Sequence, residues 1–147
     1  MKAKKLRVEK FLDEMNLVVP WSNLESELTP YYKSKKGRHP HPLDLMLRIH
    51  FLQLWHNLSD PAMEEAIYDR LSFQKFLGFD CFGGVVPDET SILRFRHLLE
   101  KHKLSQKILS IVNNHLSSHG LILKEGTIVD ATLLQAPVSK KNKDKIR

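Results

Sequence analysis

The chain is poor in several residues whose scarcity narrows what it can be. Its 147 residues contain one cysteine, Cys81, which rules out an internal disulfide and makes a reducing, cytoplasmic setting the expectation. Nowhere do apolar residues approach the roughly 18 consecutive positions of a membrane-spanning helix. The basic N-terminus MKAKKLRVEKFLDEM lacks the apolar core and small-residue cleavage site of a secretory signal, so none is expected. The six glycines form neither GxGxxG nor GxxxxGK[ST], which excludes the phosphate-cradling loops. There is no internal repeat. What is present, 41% hydrophobic and 27% charged residues, suits a domain of about 100–150 residues and excludes disorder throughout, a collagen-like fibre and a disulfide scaffold.

Charge is unevenly spread. Residues 1–10, the run KSKKGR at 33–38 and residues 138–147 each carry +4, so the net charge of +6 leaves the rest of the chain at −6. Three short basic segments on an acidic body suit phosphate neutralisation, and equally suit plain solvated charge.

Apolar spacing predicts a succession of helices. Leu6, Phe11, Leu12 and Met15 mark an amphipathic helix over 4–15, and Trp21, Leu24 and Leu28 a second that Pro30 should stop. Residues 30–42, rich in proline and lysine, read as an exposed loop. From Leu43 to Leu58 apolar residues fall on nearly every face, the mark of a buried helix at the centre of the core. Pro42 should occupy its first turn. Ser59 or Asp60 can cap the next helix, with Pro61 in its first turn; Met63, Ile67 and Leu71 line its inner side, while Glu64, Glu65 and Asp69 face water. A short helix at Ser72–Leu77 should end at Gly78. Asp88 is a plausible N-cap for a helix over 89–101, with Ile92, Phe95 and Leu99 inside and Arg94, His97 and Lys101 outside. Another helix runs from Leu104, with Ile108, Ile111, Val112 and Leu116 as its stripe, and closes at Gly120. The total is about six helices. Then LILKEGTIVDATLLQAP alternates with period two, the start of a sheet. The final ten residues are polar and expected to be disordered.

Few residues suggest chemistry of their own. His39 and His41 lie in a proline-rich loop without a CxxC or HExxH companion. His115 and His119 share the i, i+4 spacing of a helical metal pair but lack an evident third ligand, and a helix-end histidine also interacts with the dipole. Cys81 has no evident partner base. Glu64-Glu65 and Asp88-Glu89 read as helix face and cap. Asp130 stands apart, because acids are depleted in strand interiors and it sits mid-strand between Val129 and Ala131. An edge position, a buried partner or a Mg²⁺ or Mn²⁺ ion would each account for it.

The segments GRHPHPLDLMLRIHFLQLWHNLSDPAMEEAIYDR, FLGFD, VPDETSILRFRHLLEKHKL and GLILKEGTIVDATLLQAP, together covering about 37–137, resemble the N-terminal part of bacterial insertion-sequence DDE transposases with an InsH-type N-terminal domain. That resemblance implies a mainly α fold: a multi-helical DNA-binding and assembly domain over 1–120 with a helix-turn-helix-like part, followed by the first β-strand or strands of an incomplete RNase H-like catalytic domain over 121–137 and a basic tail over 138–147. Asp130 would be the first of three catalytic acids that hold Mg²⁺ in the intact family. The chain reaches SKKNKDKIR without the second Asp and the final Glu, so the expectation is a truncated or split transposase, catalytically incomplete, with no cofactor of its own.

On that basis the expected partner is insertion-sequence end DNA. The helices within 60–77 and the helix at 89–101 would form the helix-turn-helix-like pair, with Arg94, His97, Lys101 and Arg96 towards DNA. Arg96, beside the buried Phe95, ranks below Arg94. Lys33, Lys35, Lys36 and Arg38 would contact phosphate. A competing expectation is a fragment that pairs with itself or with full-length transposase and inhibits it, through the apolar helix at 43–58 or the unfinished sheet edge. A decaying gene remnant is a third.

Overall fold

A computed structural model describes residues 4–32, 41–79 and 85–119; among these there are seven helices and no strand. They are α1 (Arg7–Val18), α2 (Trp21–Tyr32), α3 (Leu43–His56), α4 (Asp60–Asp69), α5 (Leu71–Leu77), α6 (Glu89–Lys101) and α7 (Leu104–Ser118). The mainly α class is as the sequence implies. The expected boundary at residue 120, the strands at 121–137 and the tail at 138–147 lie outside the described residues.

The centre is α3. Eight of its fourteen residues are buried, on all its faces, because α2, α4, α5 and α6 all pack around it. Trp55, fully buried, meets Phe11 and Phe51 at 5.3 Å and Phe76 at 5.8 Å between ring centroids. Trp21 meets the same Phe51 and Phe76 from α2. Each buried large side chain contributes about 1.5–3 kcal/mol, and paired rings about 0.5–1.5 kcal/mol more. Most of the apolar surface of α3 is covered by these neighbours, and Leu54 is its one exposed large apolar side chain among the described residues.

One polar residue ties three helices at this centre. The Arg48 guanidinium lies 4.3 Å from the Trp21 ring and 4.8 Å from Phe76. It donates to the Phe76 carbonyl at 2.9 Å and pairs with Asp44 at 3.4 Å. A planar cation that stacks and donates at once does what a lysine cannot.

Local signals set most helix ends. Ser59, not Asp60, caps α4, its hydroxyl accepting from the Ala62 N–H at 3.2 Å. Asp88 caps α6 by accepting from the Ser91 N–H at 2.8 Å. Gly78 closes α5 at φ 80, a left-handed conformation that glycine adopts without a Cβ penalty. Pro42 stands one residue before α3 rather than within its first turn.

Three expectations fail for identifiable reasons. Pro30 lies inside α2 instead of stopping it. The Ser26 carbonyl it leaves unpaired belongs to an exposed residue, where water can satisfy it. Beyond it, Tyr32 is anchored by its ring against Phe95 at 5.9 Å and by its hydroxyl, which donates to the His41 carbonyl at 2.6 Å. Tertiary contacts thus hold the last turn that proline alone would fray. Leu71, assigned to the inner stripe, is 60% exposed, because Arg70 takes an extended conformation (φ −107, ψ 114) that ends α4 and starts α5. The stripe's phase does not survive that break. Leu6 is exposed as well, one residue ahead of α1.

Candidate nucleic-acid interface

Helix α6 is mounted from below. Ile92, Phe95 and Leu99 are buried, and their spacing of three and four sends the intervening positions outward. Arg94, His97 and Lys101 are exposed. The start of the helix is fixed to α4, where a Glu64 carboxylate oxygen accepts from the Glu89 N–H at 2.8 Å. Glu64 is therefore a bracket between helices and not simply a water-facing acid.

Arg96 forms the second bracket. Its guanidinium lies 2.6 Å from Asp60 and 3.5 Å from Glu100. The partly buried Asp60 also accepts from the Gln53 amide at 2.9 Å. Burial alone would raise the Asp60 pKa; the hydrogen bonds from Arg96 and Gln53 overcome it and hold the carboxyl below its ordinary value. The structure thus places Arg96 in a network joining α3, α4 and α6, apart from the outward row of Arg94, His97 and Lys101.

The helices that pack together here are α4 and α6, but α5 and residues 78–88 separate them in sequence. This is not the three- or four-residue turn of a helix-turn-helix. The tight connection is between α6 and α7, where His102 and Lys103 alone link the helices, Lys103 in the left-handed region at φ 54.

Histidines line the inner wall. His50, on α3, has its ring 6.4 Å from Phe95; burial pushes its pKa down to about 4, with the Arg96 charge acting in the same direction. His56 is also lowered to about 4, by burial and then by Arg70, and its Nε2 is shut from solvent without a hydrogen-bond partner. His41 is buried and shifted down by that burial, against the pull of Asp88. These neutral rings serve packing. A cleft of about 440 Å³ opens beside His50, Gln53, Leu58 and Arg96.

The structure brings together no metal centre: among the described residues no group of three His, Cys, Asp or Glu is placed to hold an ion. His115 and His119 do stack, 4.4 Å between ring centroids, with His119 Nδ1 2.9 Å from the His115 carbonyl. Lys33, Lys35, Lys36, Arg38, His39, Cys81 and Asp130 lie outside the described residues.

Division of the charge into three segments misses a fourth. Residues 94–107 hold five Lys/Arg against one acid, Glu100, concealed in the acidic total of the body. Its signal was available as a local count. Among the described residues Arg94, His97, Lys101, His102 and Lys103 have no carboxylate within ion-pair distance, whereas Arg48 and Lys75 each have one and Arg96 has two.

Comparison with known families gives one match: the family model described as a transposase domain, DUF772, covers residues 2–98, about two thirds of the chain and the helices from α1 through most of α6. No solved structure matches.

Proposed function

The chain belongs to the DUF772 transposase-domain family, and from that premise we propose that it binds the end DNA of an insertion sequence with the exposed face of α6. The observation that carries this reading is the outward row of Arg94, His97 and Lys101 on a helix whose other sides are fixed to α3 and α4. The row runs from Arg94 to Lys101, about 10 Å of helix, and a major groove about 12 Å wide accepts such a helix. Arg94 matches the paired acceptors of a guanine edge; His97 reads beside it, and Lys101 reaches the backbone. Arg96 positions this face through Asp60 rather than reading bases.

Lys33, Lys35, Lys36 and Arg38 add phosphate contacts that carry affinity without sequence choice. Tyr32 and His41, at the two ends of that stretch, are tied by their hydrogen bond. Asp130 is the residue that would contribute to a Mg²⁺ site, and only together with further acids; the described residues contain no such set. We derive no catalytic step from it. A role in the bacterial cytoplasm, as a homo-oligomer or beside a full-length transposase, accords with this reading. No helix of the described residues is long and apolar enough to cross a membrane.

The test is fluorescence anisotropy with two duplexes, one carrying the element's end sequence and one a shuffled version. Arg94→Ala should weaken end binding by about 1–3 kcal/mol and shuffled binding far less. Equal loss on both would remove α6 as the reading element.

A further inference from the structure

The basic row does not stop where α6 stops. Lys101, His102 and Lys103 run directly into the two-residue turn, beyond residue 98, where the family match ends. Against this turn lies Tyr31 from the last turn of α2. Its ring centroid is 5.0 Å from that of His102, and the Lys107 ammonium sits 5.7 Å from it on the α7 side. Lys107 is itself held 3.2 Å from Glu27. The Tyr31 ring, carried by α2, is thus held by two neighbours, His102 of the turn and Lys107 of α7. It remains 36% exposed, and its hydroxyl has no hydrogen-bond partner among the described residues.

We propose that this corner, Tyr31 and Lys103 foremost, is a backbone clamp: it grips the phosphates of duplex DNA flanking the bases that α6 reads. This rests on the reading of α6 as the DNA-facing helix and adds a second, sequence-independent contact to it. The chemistry fits a phosphate diester. Lys103 supplies an unpaired ammonium, and the Tyr31 hydroxyl a donor on a ring already held by its neighbours, so little side-chain freedom is lost on binding. His102 and Lys107 are positioning residues that hold the ring. Charge complementarity favours this occupant: residues 94–107 carry five Lys/Arg, and the two acids against them, Glu100 and Glu27, face Arg96 and Lys107, which leaves Lys101 and Lys103 without a carboxylate partner among the described residues. A lysine at φ 54, where glycine would sit more easily, also puts a charge at the tip of the turn.

The experiment measures anisotropy of the full chain over a salt series, on the end duplex and the shuffled duplex. Variants are Lys103→Gly, which suits the positive φ and removes the side chain with its charge, Lys103→Arg, Tyr31→Phe, and Lys75→Gln on α5 as a control. Loss of one phosphate contact should reduce the magnitude of the log K against log salt slope by about 0.9 for Lys103→Gly, with Lys103→Arg restoring it. Tyr31→Phe should weaken both duplexes about fivefold. Circular dichroism melts checks that the fold persists. Loss confined to the end duplex would overturn the proposal by making the corner a base reader. Unchanged slopes and affinities with Arg94→Ala still defective would overturn it while leaving the α6 reading intact. Unchanged DNA binding with altered self-association would assign the corner to a protein surface instead. If the wild-type chain binds neither duplex, the α6 reading and the clamp both fall.

Discussion

Acidification from about pH 7 to about pH 5 should strip the helical body of several kcal/mol, through histidines rather than carboxylates. His50 and His56 both lie on α3, and burial, reinforced by Arg96 and Arg70 respectively, sets them at about 4. In the unfolded chain each titrates near 6.5. Between those values the unfolded chain takes up protons that the fold refuses, so stability present in full above about pH 6.5 is lost as the pH falls towards 4. For a histidine at about 4 folded and about 6.5 unfolded, linkage at about pH 5 removes about 2 kcal/mol. Both rings keep some exposure, and solvent screening reduces each share to about 1.5 kcal/mol. His41 shifts in the same direction. The sum, about 3 kcal/mol, is a large part of the 5–15 kcal/mol of a typical domain. Asp60 and Asp88 are both depressed, so their stabilisation is lost only at pH values below about 4, outside this window. Urea titrations followed by helical circular dichroism at the two pH values measure the effect. With a slope of about 1–3 kcal/mol per molar, the midpoint should drop by about 1–3 M, and His56→Gln should remove about half of that dependence. Equal midpoints at both pH values, or an unchanged dependence in both His50→Gln and His56→Gln, would refute the reasoning.

Two further outcomes follow from the packing. Arg96→Ala should cost about 1 kcal/mol of stability, a modest figure because the Arg96 side chain is 39% exposed and solvent screens the pair. It should weaken both duplexes alike, in contrast to Arg94→Ala; a selective loss on end DNA would return Arg96 to the reading face. Trp55→Ala should cost about 3–5 kcal/mol, since the ring is fully buried among Phe11, Phe51 and Phe76. A thermal melt within a few degrees of wild type would show that the centre of the core lies elsewhere.

Much of this was legible in the residues themselves. Apolar spacing and punctuation are local properties, so the inner stripe of α6, the caps at Ser59 and Asp88, the left-handed close at Gly78 and the all-round burial of α3 could be read without a partner helix. The outward row of Arg94, His97 and Lys101 follows from the same periodicity. What failed depended on atoms distant in sequence. Pro30 reads as a stop, and only Phe95 and His41, brought to Tyr32 by the fold, carry α2 past it. Leu71 keeps helical phase with Met63 and Ile67 on paper, and loses it at the extended Arg70. The position of Arg96 beside Phe95 ranks it below Arg94, but its partners Asp60 and Glu100 are known only once the fold brings Asp60 beside it.

By itself, then, the sequence determined that the described body is helical, which helix is central, and which cations line α6, because burial periodicity and capping act within a few residues. Tertiary structure alone decided which charges are neutralised and which stay free. It also decided that Tyr31, 71 residues before His102 in sequence, rests against that ring. Coulombic pairing and desolvation depend on separation in space, and spacing along the chain does not fix that separation.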